Sequence, residues 1–282
     1  NAGTNLGAAL TPFLVRWIFV RWGWRGCFFA IGAMGFAGLA LWLWIYRLPE
    51  QGPQCSVLEL EHLRPETIEG PDKIGLSEIV RHRQTWAIVC GKFLVDPIWW
   101  FYLFWIPDFL ERRHGLSLGR IGMPILVIYV LADFGSVAGG WLSSFLLRRG
   151  KTVNMARKVA LLVCAVSVVP IVLASRVDSL WTAVLLIGLA ACGHQGFSAN
   201  LLTLPSDLFP VKVVGSVAGV GGAAGAIGGM LIAEVVAHVL QWTGSYAIPF
   251  FIAGSAYLVA LAVIQFLAPR LEAVRFAVEV RH

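Results

Sequence analysis

The sequence predicts an all-α transmembrane protein, and three observations predict it. Of the 282 residues 58% are hydrophobic and only 13% charged, against roughly 25% charged in an ordinary soluble domain. Eight apolar stretches follow one another, at about 3–20, 25–46, 85–109, 121–147, 158–175, 179–204, 215–240 and 245–267. Most reach the ~20 residues that ~30 Å of hydrocarbon demands, and none shows the alternation of a barrel strand. The net charge of +6 and pI near 9.3 would fit a nucleic-acid partner if the basic residues pooled together, but they sort by loop. The side carrying Arg47, Arg81, Arg148, Arg157, Lys212 and Arg270 holds roughly twice as many as the side carrying Arg16, Arg25, Arg112, Arg120 and Arg176. The richer side is read as cytoplasmic, so the first stretch runs outward and the C-terminus lies inside.

Each element has its own reason. The first two stretches are joined by the aromatic turn Trp22-Gly23-Trp24-Arg25. The chain opens at Asn1-Ala2-Gly3, already within an apolar stretch and with no basic n-region, so a partial sequence is expected rather than a signal peptide. Over 48–84 the composition turns polar: Pro49, Pro53, Pro65 and Pro71 interrupt a run of acidic residues, as in a tether, with a short amphipathic piece at 56–63. The third stretch carries Lys92, Asp96, a dense aromatic run and two prolines, Pro97 and Pro107; the fourth carries Asp133. The sixth is interrupted by Cys192-Gly193-His194-Gln195-Gly196-Phe197-Ser198-Ala199-Asn200. The seventh holds Gly221, Gly225 and Gly229 at four-residue spacing, the pattern that lets helix backbones approach closely.

An internal repeat organises these parts. The order small residues, span, Trp22-Gly23-Trp24-Arg25, span recurs about 220 residues later as Gly221 to Val239, Gln241-Trp242-Thr243-Gly244 and a final span. Two copies of one helical hairpin imply two homologous halves. The second copy is preceded by about four spans and the first by none, so roughly four helices are expected ahead of Asn1, giving about twelve in all. The domains are then 1–47, the last two helices of an N-terminal bundle; 48–84, a cytoplasmic linker; 85–270, a six-helix bundle; and 271–282, a cytoplasmic tail.

Ionisable residues in spans are the first site candidates, because a charge at the bilayer centre costs about 2.5–3.5 kcal/mol even on insertion scales. Lys92 and Asp96 sit one turn apart on one helical face, either a self-satisfied pair or a substrate and proton site. Asp133 is a second proton-coupling candidate, with hydrogen bonding to the nearby small residues Gly135 and Ser136 or to a neighbouring helix as the alternative. Glu234, with His238 one turn on, reads more simply as reaching interfacial water. Trp99, Trp100 and Tyr102 follow Asp96 at mid-span depth, where rings beside a polar hole suit the apolar faces of a sugar. His194, Gln195, Ser198 and Asn200 supply the donors and acceptors that a polyhydroxylated ligand needs. The five cysteines, Cys27, Cys55, Cys90, Cys164 and Cys192, have no metal-ligand spacing and read as small packing residues; no metal or cofactor is expected.

These residues resemble a known family. Asn1-Ala2-Gly3, Gly7 and Pro12 leading to Gly23-Trp24-Arg25, then Asp96-Pro97-Ile98-Trp99-Trp100-Phe101-Tyr102, then His194-Gln195 and Pro205-Ser206-Asp207-Leu208-Phe209-Pro210 are similar to the major facilitator superfamily. Within it they look most like the anion:cation symporters, in particular the bacterial hexuronate transporters, from about the fifth to the twelfth helix. The resemblance implies a partial superfamily fold of about eight helices out of twelve. It also implies proton-driven uptake of a carboxylated sugar by alternating access in a plasma (inner) membrane, by a protein read as a monomer. It further places Thr4 where relatives put a polar ligand contact, and Asp96, Trp100 and Tyr102 on the cavity-facing stretch. One departure is that Gly139-Gly140-Trp141-Leu142-Ser143-Ser144 precedes Arg148-Arg149 with serine where many relatives have a gate aspartate. The reading is a sugar-acid:proton symporter and not an enzyme. A transporter of an aldonate or sialic acid is the alternative, with a membrane enzyme or channel further off.

Overall fold

The structure, a computed structural model, describes residues 2–47, 74–117, 120–274 and 276; the side chains of residues 2, 4–6 and 9 lie outside that description. Its elements are α1 (Ala2–Ile45), α2 (Leu76–Ile79), α3 (Arg83–His114), α4 (Gly122–Arg148), α5 (Val153–Val168) continued by a 3-10 turn (Val169–Leu173), α6 (Leu180–Leu208), α7 (Val211–Thr243) and α8 (Ala247–Leu267). Seven of the described helical segments are long and apolar enough to span a membrane. Most of the 48–84 linker, including the expected amphipathic piece at 56–63, lies outside the described residues, as does the end of the tail.

The difference between seven and eight spans is local to α1. Gly23 sits inside it at φ 65° and ψ −171°, a conformation open to glycine but not to side-chain-bearing residues. An unbroken helix would place Val15 and Cys27 about 18 Å apart. Instead the Cys27 thiol lies 3.7 Å from the Val15 carbonyl, so the chain reverses at Gly23 and the two predicted stretches are a helical hairpin. The other copy of the repeat turns on the same device: α7 ends at Gly244, also left-handed at φ 62°, before α8 begins.

The chain divides into two compact units, 10–70 and 1–9 with 71–282. In the first, Ile18 and Cys27 are buried between the arms of the hairpin, while Phe28, Phe29 and Trp44 are largely exposed. In the second, α3 to α8 form the six-helix bundle. Helix α6 is its centre, with neighbours α3, α4 and α5, while α3 also lies along α7 and α8.

Lipid tails are as apolar as leucine, so close fit rather than water exclusion holds these helices together. The fit is made by glycines. A side chain at Gly139 would run into the backbone of Gly196, and one at Gly135 into the backbone of Cys192, so α4 and α6 touch main chain to main chain. Gly193 likewise admits the Cys164 carbonyl and Ser167 of α5. The fifth span ends as a 3-10 turn because Pro170, within it, has no N–H to continue the α-helical ladder.

At one end of the bundle basic side chains satisfy helix-terminal carbonyls. Lys158 Nζ donates to Ala268 O (2.8 Å) and Pro269 O (2.6 Å), and Arg83 donates to Phe266 O (3.2 Å), complementing the C-terminus of α8. The start of the expected tail is not loose here: Leu271 N donates to Asn154 Oδ1 and Val274 N to Leu208 O. At the other end Tyr246 hydrogen-bonds Asp108, which also pairs with Arg112 at 2.8 Å, and burial together with that bond raises the Tyr246 phenol far above its usual range.

Candidate functional site

Helix α3 presents two working faces. Proline within it costs a ladder hydrogen bond: Pro97 frees the carbonyl of Phe93. That carbonyl and the Pro97 ring fill the space beside Gly228 of α7, where no side chain would fit. Along the same seam Gly221 makes room for the Lys92 stem, Gly225 for the Asp96 carboxylate and Gly229 for the Trp100 indole. The glycine stripe of α7 is thus the mould into which the charged and aromatic residues of α3 are set.

Lys92 Nζ and Asp96 Oδ2 are 2.7 Å apart, with 12% and 21% of the side chains exposed. The pair foreseen from the i,i+4 spacing therefore exists, mostly buried. Trp99, one turn further, stacks on His194 of α6 (centroids 4.9 Å, 11° between planes) and meets Tyr129 of α4 edge-on at 6.0 Å. Tyr102 closes the group, edge-on to His194 at 6.4 Å. His194 is 3% exposed, and its Nδ1 lies 2.6 Å from the hydroxyl of Tyr257 on α8. Lys92 is within electrostatic range of His194, and Asp96 of Tyr257. A cavity of about 30 Å³ adjoins Trp99, Tyr102 and Tyr129, room for a water but not for a sugar.

The structure therefore brings together Lys92, Asp96, Trp99, Tyr102 and His194. Gln195 is buried beside His194 on α6, and Ser198 is half-buried one turn on. Trp100 goes elsewhere: it packs over Gly229 and stacks on Phe104, on the α7 side of the helix and 40% exposed. Thr4 lies in α1 with its side chain outside the described residues. Asp133 is one turn beyond Tyr129 on α4, and its Oδ1 is buried with no hydrogen-bond partner among the described residues. The small residues Gly135 and Ser136 do not satisfy that oxygen. Glu234 and His238 are exposed, 3.8 Å apart.

Asn200 belongs to a second network. Its amide donates to the carbonyls of Gly139 and Gly196 (2.9 Å each), and its oxygen accepts from Arg157 at 3.4 Å. Arg157 forks onto both oxygens of Asp207 (2.7 and 3.3 Å) and donates to Ser143 Oγ at 3.0 Å. Ser143, one of the two serines in that stretch, thus joins α4 to α5 and α6 through a guanidinium. Arg149 lies over the Phe145 ring.

Sequence reasoning overlooked Tyr257, Tyr129 and the Arg157–Asp207 pair as partners. Tyr257 carried a usable signal, since a tyrosine in mid-span must find a partner for its hydroxyl. Among the described residues no cluster of His, Cys, Asp or Glu is arranged to hold a metal ion.

Helices long and apolar enough to cross a membrane, with a mostly buried ion pair beside a stacked aromatic and imidazole cluster, define a polytopic helical membrane protein. Residues 1–233 match the Major Facilitator Superfamily, and the chain belongs to that family. It is similar to the probable galactarate/D-glucarate transporter GarP of Escherichia coli K12, 25% identical over 275 residues covering 93% of this chain and 62% of the relative. It is 28% identical to the hexuronate transporter of the same strain (86% and 58% covered) and 28% identical to that of Bacillus subtilis strain 168 (95% and 64%). The chain thus spans about three fifths of the length of these relatives. Among solved structures it shares the fold of a bacterial homolog of the human lysosomal transporter Spinster, captured inward-facing and unoccupied (TM-score 0.52, 19% identity, 95% of this chain and 63% of that one).

Proposed function

We propose that this chain supplies the C-terminal bundle and part of the N-terminal one of a proton-coupled symporter for a sugar acid, a hexuronate such as glucuronate or galacturonate. The observation that carries the reading is the Lys92–Asp96 pair: opposite charges 2.7 Å apart and mostly buried, in a helix that must otherwise be apolar. Proton binding to Asp96 frees Lys92 for a substrate carboxylate. Release of the proton re-forms the pair and expels the anion. Trp99 and Tyr102 offer flat apolar faces to the sugar, and His194, Gln195 and Ser198 offer polar contacts; Thr4 of α1 is a further candidate polar contact. Asp133, with an unsatisfied buried oxygen, is the second proton-coupling group. The basic end of the bundle faces the cytoplasm, and the transporter works as a monomer in the plasma membrane.

Support for the substrate class comes from the names of the relatives, two hexuronate transporters and a probable galactarate/D-glucarate transporter. The test is uptake by the full-length protein in proteoliposomes, with labelled glucuronate or galacturonate, with and without an inward proton gradient. Asp96→Asn should abolish concentrative uptake while retaining exchange of labelled for unlabelled substrate. Uptake indifferent to the gradient would reject the coupling, and competition by an aldonate or sialic acid but not by hexuronates would reassign the substrate.

A further inference from the structure

We propose that Tyr257, backed by Tyr102, is a positioning residue that fixes His194 as the tautomer with its proton on Nε2, so that the imidazole offers a hydrogen-bond donor on the edge away from α8. The helix carrying Tyr257 contributes nothing else to the cluster, yet its hydroxyl reaches His194 Nδ1 from a side chain with no exposed surface. The direction of that bond follows from its length and its chemistry. At 2.6 Å it is shorter than N–H···O bonds run and within the range of hydroxyl donors. A phenol is also the stronger acid, and an imidazole nitrogen the stronger base. Tyr257 donates and Nδ1 accepts.

Tyr102 is compatible with the same direction. Its hydroxyl is buried with no hydrogen bond of good geometry among the described residues, and the Tyr257 hydroxyl lies near enough to pair with it. A small rotation lets the Tyr102 O–H donate to the Tyr257 oxygen, which has lone pairs to spare once its proton points at Nδ1. A buried hydroxyl is costly to leave unpaired, so the chain Tyr102 to Tyr257 to His194 is favoured over three separate groups. Its far end is the Nε2–H. The stacked Trp99 ring holds the imidazole plane, so the donor's aim is set by two aromatic neighbours rather than by a rotamer of its own. On the proposed function, this donor recognises an acceptor on the sugar acid, a carboxylate or hydroxyl oxygen.

The experiment is nitrogen-15 magnetic resonance on full-length protein labelled at histidine, with the His194 signals assigned through His194→Gln. Wild type should give an unprotonated Nδ1 and a protonated Nε2. Tyr257→Phe, which keeps the ring and its packing, should mix the tautomers and raise the KM for the sugar acid several-fold with kcat and expression held. Tyr102→Phe should mix the tautomers more weakly. A protonated Nδ1 in wild type, or a tautomer unmoved by Tyr257→Phe, overturns the proposal. A tautomer that Tyr257→Phe scrambles while KM stays constant upholds the positioning and instead removes His194 from substrate contact, so the two readings fail separately.

Discussion

Truncating Lys92 tests the charge pair at its root. Lys92→Ala leaves the Asp96 carboxylate with a fifth of its side chain exposed and no counter-charge at 2.7 Å. Breaking a fully buried pair costs about 3–5 kcal/mol. The partial exposure lets water or a shifted lysine-free pocket relieve some of that, so about 2–3 kcal/mol is expected here. Adding Asp96→Asn removes the stranded charge and should recover part of the loss, while the gap left by the Lys92 stem beside Gly221 is common to both variants. The assay is a thermal unfolding scan of the full-length protein in detergent for wild type, both single variants and the double, closed as a cycle. The single Lys92→Ala should melt well below the double variant. Equal midpoints for those two would refute the argument, because they would mean that Asp96 never depended on Lys92. Uptake then separates structure from function: a double variant that folds and expresses but cannot concentrate substrate supports the coupling role, and one with wild-type uptake leaves the pair as packing alone.

Further outcomes follow from the same geometry. Gly225→Ala should lower the melting midpoint, because overpacking costs about 1–3 kcal/mol and the new methyl would overlap Asp96. Gly222→Ala on the same helix meets nothing within 4 Å and should gain up to about 1 kcal/mol of helix propensity; the reverse order in a thermal scan would show that the α3–α7 seam is looser than described. Arg157→Gln should destabilise the bundle by about 3 kcal/mol by stranding Asp207, and more than Asp207→Asn does, because it also withdraws the donor from Ser143 and Asn200. In a cysteine-free background, a cysteine at Ser56 should be labelled from the cytoplasm and one at Ser117 from outside; the opposite pattern would invert the orientation.

Much of this was legible in the sequence because membrane spans leave strong, local marks. Length and apolarity placed the spans, and Gly23 with its aromatic neighbours marked a reversal that regular hydropathy alone would run through. The i,i+4 spacing of Lys92 and Asp96 predicted their contact, since helical periodicity fixes that pair without tertiary information. Contacts between helices were not so accessible. Asn200 sits one and a half turns past His194 in the chain, yet packing turns it towards Gly139 and Arg157. Trp100 is adjacent to Trp99, but the ~100° step of the helix sends it to α7 instead of α6. Tyr257 lies 63 residues beyond His194, and only the tertiary arrangement of the bundle brings the two side chains together.

The main-chain contact between α4 and α6 has a mechanical meaning. With Gly139 seated on Gly196 and Gly135 on Cys192, neither helix can roll against the other without its backbone riding over the next residue. Asp133, Tyr129 and His194 are therefore carried on a single stiff jaw. Helix α3 runs through Pro97 and Pro107, each of which withdraws a ladder hydrogen bond and leaves the helix less braced there. A change in the width of this bundle's mouth would therefore fall to α3, which carries Lys92 and Asp96, sooner than to the α4–α6 pair.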